Sequence, residues 1–399
     1  MKTKRNTGLL LFFLLFTVVL AIAFFPSVNQ NVSNGIASET SVSASSLDLT
    51  SRTILDSVTY AKSIHILAML LLGFGFLMAF MRGHEYTSLT ATLLAVSVSI
   101  PVYMLAKSII SPDYNIMNIN GLIYAEFAAA SLLICMGAVL GRLRTDQYFV
   151  LSILFTLAYV FNEWLLLESG LFDGFLDVGG SVSIHAFGAY FGLGAVAFTD
   201  RLFKGNASVK IDKTSNEFCM LGSLILWLFW PSFTSALVAP GESYHTVLNT
   251  IFALCGSTLA TYVFTKFIRG KIEIEDIANA ALAGGVCIGS CCADANPGFA
   301  MVIGICAGAL STIGFSIIAP KVCRLIRGTD SCGVHNLHGM PGVLGGLFAI
   351  AITGKALTQI LAVLCTIISG LVLGRICGAI VGLIGTKENL YDDADDFNV

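Results

Sequence analysis

Long apolar runs separated by short polar breaks occupy most of the chain. A bilayer core takes about 20 apolar residues per helix. That window marks Gly8–Phe25, Ser63–Phe80, Ser88–Ile110, Asn120–Gly141, Tyr148–Leu167, Gly179–Phe198, Phe218–Val238, Thr246–Phe267, Ile277–Cys292, Gly298–Ile318, Val334–Ala351 and Leu357–Ile384. The runs are continuous and do not alternate, so they predict helices and exclude a β-barrel. The pattern therefore predicts an all-α polytopic membrane protein with twelve spans.

Composition narrows the class further. Of 399 residues, 12% are charged and 56% hydrophobic. A soluble domain carries roughly 25% charged residues, so this chain cannot cover a water-soluble surface. Secreted disulfide frameworks, nucleic-acid binders and disordered scaffolds are excluded on the same ground. The net charge of −3 implies no polyanion partner. The eleven cysteines fall mostly within apolar runs, and Cys287, Cys291 and Cys292 read as packing residues. No metal or cofactor is implied.

Charge placement sets the orientation. Lys2, Lys4, Arg5, Arg82, Arg142, Arg144, Arg201, Lys204, Lys210, Lys213, Lys266, Arg269, Lys271, Lys321, Arg324, Arg327 and Lys387 share one side. The opposite breaks hold little beyond Arg52, Lys62 and Lys355. Basic residues favour the cytoplasmic side, so both termini are expected there if the first run is retained. That run also has the layout of a signal peptide, although its length favours a retained helix. Residues 1–60 then form a first helix (or signal peptide) and an outer loop with a sequon at Asn31-Val32-Ser33. Residues 61–385 form one transmembrane domain. Residues 386–399 form an acidic tail, with Asp392, Asp393, Asp395 and Asp396, expected to be solvated and disordered.

Ionisable groups inside a membrane are costly and mark candidate sites. Glu126, Glu163, His185 and His335 lie inside runs; Asp177, His65 and His338 lie near run ends. Asp177 precedes His185 by eight residues, about 12 Å along a helix. Each histidine alone reads equally as a helix–helix hydrogen bond. Together, His185 and His335 occupy the fifth and tenth runs after the first. Two five-run halves must be inverted relative to each other, and such repeats place sites at their interface. His185 and His335 are therefore expected to pair. Hydropathy sets them about 9 Å inside opposite boundaries, so a tilt or kink must bring them together. Gly370, Gly374, Gly378 and Gly382 form a small-residue seam expected to cross several helices.

Longer motifs carry a resemblance. They include Gly73-Phe74-Gly75-Phe76-Leu77-Met78, Ala125-Glu126-Phe127, Asn162-Glu163, and Gly179-Gly180-Ser181 through His185 to Gly192. Trp230-Pro231-Ser232-Phe233, Asn279 through Gly285, and His335-Asn336-Leu337-His338-Gly339 complete the set. The chain resembles the Rhesus (Rh) branch of the ammonium transporter family along nearly its whole length. The resemblance implies an eleven-helix ammonium-transporter fold of inverted five-helix repeats plus an extra N-terminal helix. It implies a homotrimer in the plasma membrane with one hydrophobic pore per protomer. It assigns His185 and His335 to the pore and Phe127 and Phe233 to an outer gate. Asp177 and Asn279 match family positions, and Asp330 would cap the run holding His335. Glu126 stands where aspartate is usual, which keeps the charge but lengthens its reach. The phenylalanines also read as plain core.

The implied function is ammonia conduction. Ammonium would be recruited and deprotonated at an outer vestibule, where Glu126, Glu163 and Asp177 are candidate acids; Asp177 reads equally as a structural cap. Neutral imidazoles donate and accept hydrogen bonds, so they suit a small polar solute without a buried charge. A channel for carbon dioxide or another neutral gas, and a non-transporting scaffold or sensor, are the alternatives. An enzyme is not expected, since the chain has neither His-Glu-x-x-His nor Gly-x-Ser-x-Gly.

Overall fold

A computed structural model describes residues 15, 16, 18, 19, 46–111, 114–200, 211–385 and 390–398, with no account of the side chains of 46–52 and 240. The first run, Gly8–Phe25, and the Asn31 sequon lie almost wholly outside the described residues. Helix α1 is Ser46–Ala68, continued by a π-helical turn, Met69–Phe74, into Gly75–Met78. Then come α2 (Glu85–Ile110), α3 (Ile119–Ala138), and α4 (Thr145–Glu163 with a π turn to Glu168). Helix α5 opens with the π turn Ser181–Ala186 and runs on as Phe187–Thr199. It is followed by α6 (Lys213–Thr234) and α7 (Ser243–Arg269). Helix α8 is in two pieces, Ile274–Ala280 and Ala283–Ile288. Helix α9 is Pro297–Ile313, prolonged to Ile326. Helix α10 opens with the π turn His335–Gly339 and continues as Met340–Thr353; α11 is Ala356–Leu383.

Among the described residues, ten of these helices are long and apolar enough to cross a membrane. The exception is α8, where the sequence predicts one span over Ile277–Cys292. It breaks at Ala281–Leu282, and its glycines lie hard against neighbours. A Cβ at Gly284 would lie 2.0 Å from the Ala253 carbonyl oxygen. One at Gly285 would lie 2.6 Å from the Trp230 ring. Broken backbone of this kind is tolerated at membrane depth only when it is enclosed by protein.

Two further expectations are corrected. The outer loop expected to run up to residue 60 turns helical at Ser46, because a modestly apolar stretch continues the α1 pattern. The acidic tail is docked through Asp393 and Asp396, although Asp392, Asp395 and Asp396 stay exposed. Asp393 accepts hydrogen bonds from the Tyr86 and Thr87 N–H groups at 2.9 and 2.8 Å, capping α2. Asp396 does the same for Thr145 at the start of α4. Unpaired N–H groups and the positive end of a helix dipole favour carboxylates at these places. At Gly370, Gly374 and Gly378 the seam of α11 packs on α5, where a Cβ at Gly374 would lie 2.0 Å from the Phe191 carbonyl oxygen.

Candidate functional site

Two non-helical segments enter the protein and start α5 and α10 deep inside it. At α5, Asp177 accepts from the Val182 and Ser183 N–H groups, and Gly180 takes the left-handed conformation at φ 74°. At α10, Asp330 accepts from the Val334 and His335 N–H groups, and Gly333 has φ 66°. Each start then runs as a π turn, and each turn carries a histidine to the centre.

The two central imidazoles are His185 and His338. Their Nδ1 atoms are 3.2 Å apart, and the rings are 5.2 Å apart and nearly parallel at 9°. The expected pair of His185 with His335 does not form. His335 sits beside the Asp330 cap, half-buried, with its ring edge-on to Tyr190 at 5.8 Å. His338 lies three residues further along α10, about 4.5 Å deeper. That advance is the physical reason for the correction: the cap holds His335 at the helix mouth and the next turn reaches His185. The signal was present in the sequence. His185 follows Asp177 by eight residues and Gly180 by five; His338 follows Asp330 by eight and Gly333 by five.

The Nδ1–Nδ1 contact constrains the protons of a neutral pair. One Nδ1 must carry hydrogen and the other must not. The donor ring therefore has a bare Nε2, and the acceptor ring has an Nε2–H. The pair offers one donor and one acceptor to its surroundings.

Aromatic rings flank the pair. Phe127 and Phe233 are buried with centroids 4.5 Å apart, tilted at 45° and not stacked in parallel. Phe233 is 5.9 Å from His185, and Trp230 stacks on His185 at 5.6 Å. Phe74 stacks on His338 at 6.2 Å. Between Phe233 and His185 lies a chamber of about 10 Å³, also lined by Trp230, Leu70 and Ala130. His185 Nε2 and Trp230 Nε1 are buried and have no hydrogen-bond partner among the described residues. On the His338 side a cavity of about 40 Å³ is lined by Asn216, Glu275, Asn279 and Phe74. Asn279 donates to the Glu275 carbonyl oxygen at 2.9 Å.

The three candidate acids differ in setting. Asp177 is a helix cap that also accepts from Ser183 Oγ and Ser290 Oγ. Glu126 is fully buried; Oε1 accepts from Ser63 Oγ at 2.6 Å, and Oε2 has no partner among the described residues. Glu163 is paired with Lys107 at 3.2 Å and accepts from Tyr103 at 2.7 Å, which makes it a strut between α2 and α4. Lys107 also binds Glu168. His65 contacts Ser232 Oγ at 2.9 Å and stacks on Phe229.

Comparison with known proteins agrees with this architecture. The sequence profile of the Ammonium Transporter Family matches residues 44–397. The chain is 35% identical over 359 residues to "Ammonium transporter Rh type A" of Bos taurus, covering 85% of this chain and 83% of that protein. The solved structure of Nitrosomonas europaea Rh50 superposes with a TM-score of 0.82 at 46% identity, covering 86% of this chain and 92% of that one. A "Sensor Amt Protein" shares the fold at 18% identity, with a TM-score of 0.71 and coverage of 85% and 95%.

Proposed function

The chain belongs to the ammonium transporter family, Rh type, and on that premise we propose that it conducts neutral ammonia past His185 and His338. It is a multi-pass membrane transporter or channel and not an enzyme. The observation that carries the conduction route is the buried imidazole pair in an otherwise aromatic column.

Bare ammonium entering such a column would lose its water without a replacement, a cost of many kcal/mol. Shedding the proton before the column removes most of that cost. Ammonia then needs one acceptor and one donor. His185 lines the small chamber and its Nε2 has no partner among the described residues, and the shared Nδ1 proton makes one Nε2 of the pair a donor and the other an acceptor. Phe127 and Phe233 would close the route on the His185 side, and Asn279 would line its other end. Asp177 positions His185 through the α5 cap. Glu126 and Glu163 are held in buried contacts, and we assign them structural roles rather than open recruitment. We further propose a homotrimer in the plasma membrane, with both termini cytoplasmic.

The test is flux into proteoliposomes carrying an internal pH dye, after an ammonium pulse. The protein is expected to alkalinise the lumen faster than empty liposomes. The folded double variant His185→Ala, His338→Ala is expected to lose that advantage, and an unchanged rate in it would overturn the route.

A further inference from the structure

Lys62 is a half-buried cation beside the gate, in a protein whose opposite breaks carry few basic residues. Its Nζ donates to the Ser235 carbonyl oxygen at 2.6 Å and to Ser243 Oγ at 3.2 Å. Both acceptors are neutral oxygens. Ser235 is the C-cap of α6, two residues beyond Phe233. Lys62 also precedes Ser63, whose hydroxyl donates to Glu126, the neighbour of Phe127 in sequence. The lysine is thereby bonded to the end of the helix that carries Phe233, and its neighbour Ser63 to the helix that carries Phe127.

The chemistry of that contact is that of the transported ion. A lysine head is a primary alkylammonium, and its N–H groups seek the oxygens that NH4+ would seek. The carbonyls left without an intrahelical partner at a helix C-terminus carry partial negative charge and attract cations. We propose that Lys62 is a specificity-determining residue: a tethered ammonium that occupies the cation-binding oxygens beside the gate and keeps free ammonium off them. This rests on the reading of the aromatic column as the conduction route. The consequence is selective. Neutral ammonia feels little repulsion from a fixed positive charge, whereas NH4+ and methylammonium meet a like charge at an already filled site.

The experiment measures initial alkalinisation rates in proteoliposomes as external ammonium is varied, with and without methylammonium. Wild-type protein is expected to show a high half-saturating ammonium concentration and little inhibition by methylammonium. Lys62→Gln keeps a hydrogen-bond donor but loses the charge. It is expected to lower the half-saturating concentration by about tenfold and to make methylammonium a competitive inhibitor. Lys62→Arg restores the charge and the wild-type behaviour. Ser243→Asp neutralises the lysine without altering it, and is expected to shift both readings in the direction of Lys62→Gln. Lys62→Gln and Ser243→Asp proteins that conduct with wild-type half-saturation and wild-type indifference to methylammonium would overturn the role of Lys62 alone. Wild-type protein that conducts no ammonia would overturn the conduction route, and this proposal with it.

Discussion

At the start of α5, Asp177 accepts from two backbone N–H groups and from the hydroxyls of Ser183 and Ser290. At the start of α10, Asp330 accepts from two backbone N–H groups. Both starts use an acid cap, a left-handed glycine and a π turn to deliver one imidazole. Their surroundings differ. The α5 start is bonded to broken α8 through Gly179 N–H to the Gly289 carbonyl, and through Ser181 Oγ to the Val286 carbonyl. It borders a small apolar chamber. The α10 start is bonded to the end of α3 through Ser331 and Cys332, and borders a larger, mostly apolar cavity whose wall includes Asn216, Glu275 and Asn279. One local device thus serves two settings: a small apolar chamber under the aromatic rings, and a larger cavity that reaches Asn216 and Asn279.

The largest test of this comparison is which histidine of α10 matters. His338→Ala is expected to cut ammonia flux about tenfold or more, the equivalent of losing one good polar contact on the route. His335→Ala should stay within about twofold. Equal losses in the proteoliposome assay would break the pairing of His185 with His338.

The two caps should differ in stability. Asp177→Ala strands several buried donors and should cost on the order of 3 kcal/mol, against about 1.5 kcal/mol for Asp330→Ala. Melting temperatures in detergent micelles check the order, and identical shifts would erase the asymmetry. A smaller effect is expected at the gate. Phe127→Ala should raise the methylammonium to ammonia permeability ratio by about threefold, since the ring it removes contacts Phe233 at 4.5 Å. An unaltered ratio would place the selective constriction elsewhere. The smallest effect lies furthest from the pair. Asp393→Ala removes the cap of α2 and should cost about 1 kcal/mol, read as earlier tail cleavage by a protease. A tail no more sensitive than that of the wild type would show that docking does not depend on the cap.

What sequence alone determined is the membrane class, ten of the spans that the structure describes, and the short set of polar residues inside them. Charge scarcity and continuous apolar runs are local properties, and a window of about 20 residues reads them directly. The α11 seam was legible for the same reason, since period four is a property of one helix. Its target, α5, was not. The same window averages over depth, so it blurred where a span begins inside the protein. Only the tertiary structure decided that residues 327–334 enter beside the end of α3, so that α10 starts within reach of α5. It also decided that α8 breaks, that Glu163 meets Lys107 on another helix, and that the acidic tail folds back onto two helix starts. Each of these joins residues far apart in sequence. Their outcome rests on whether a buried polar group finds its partner across the fold, which neither hydropathy nor periodicity along a single segment encodes.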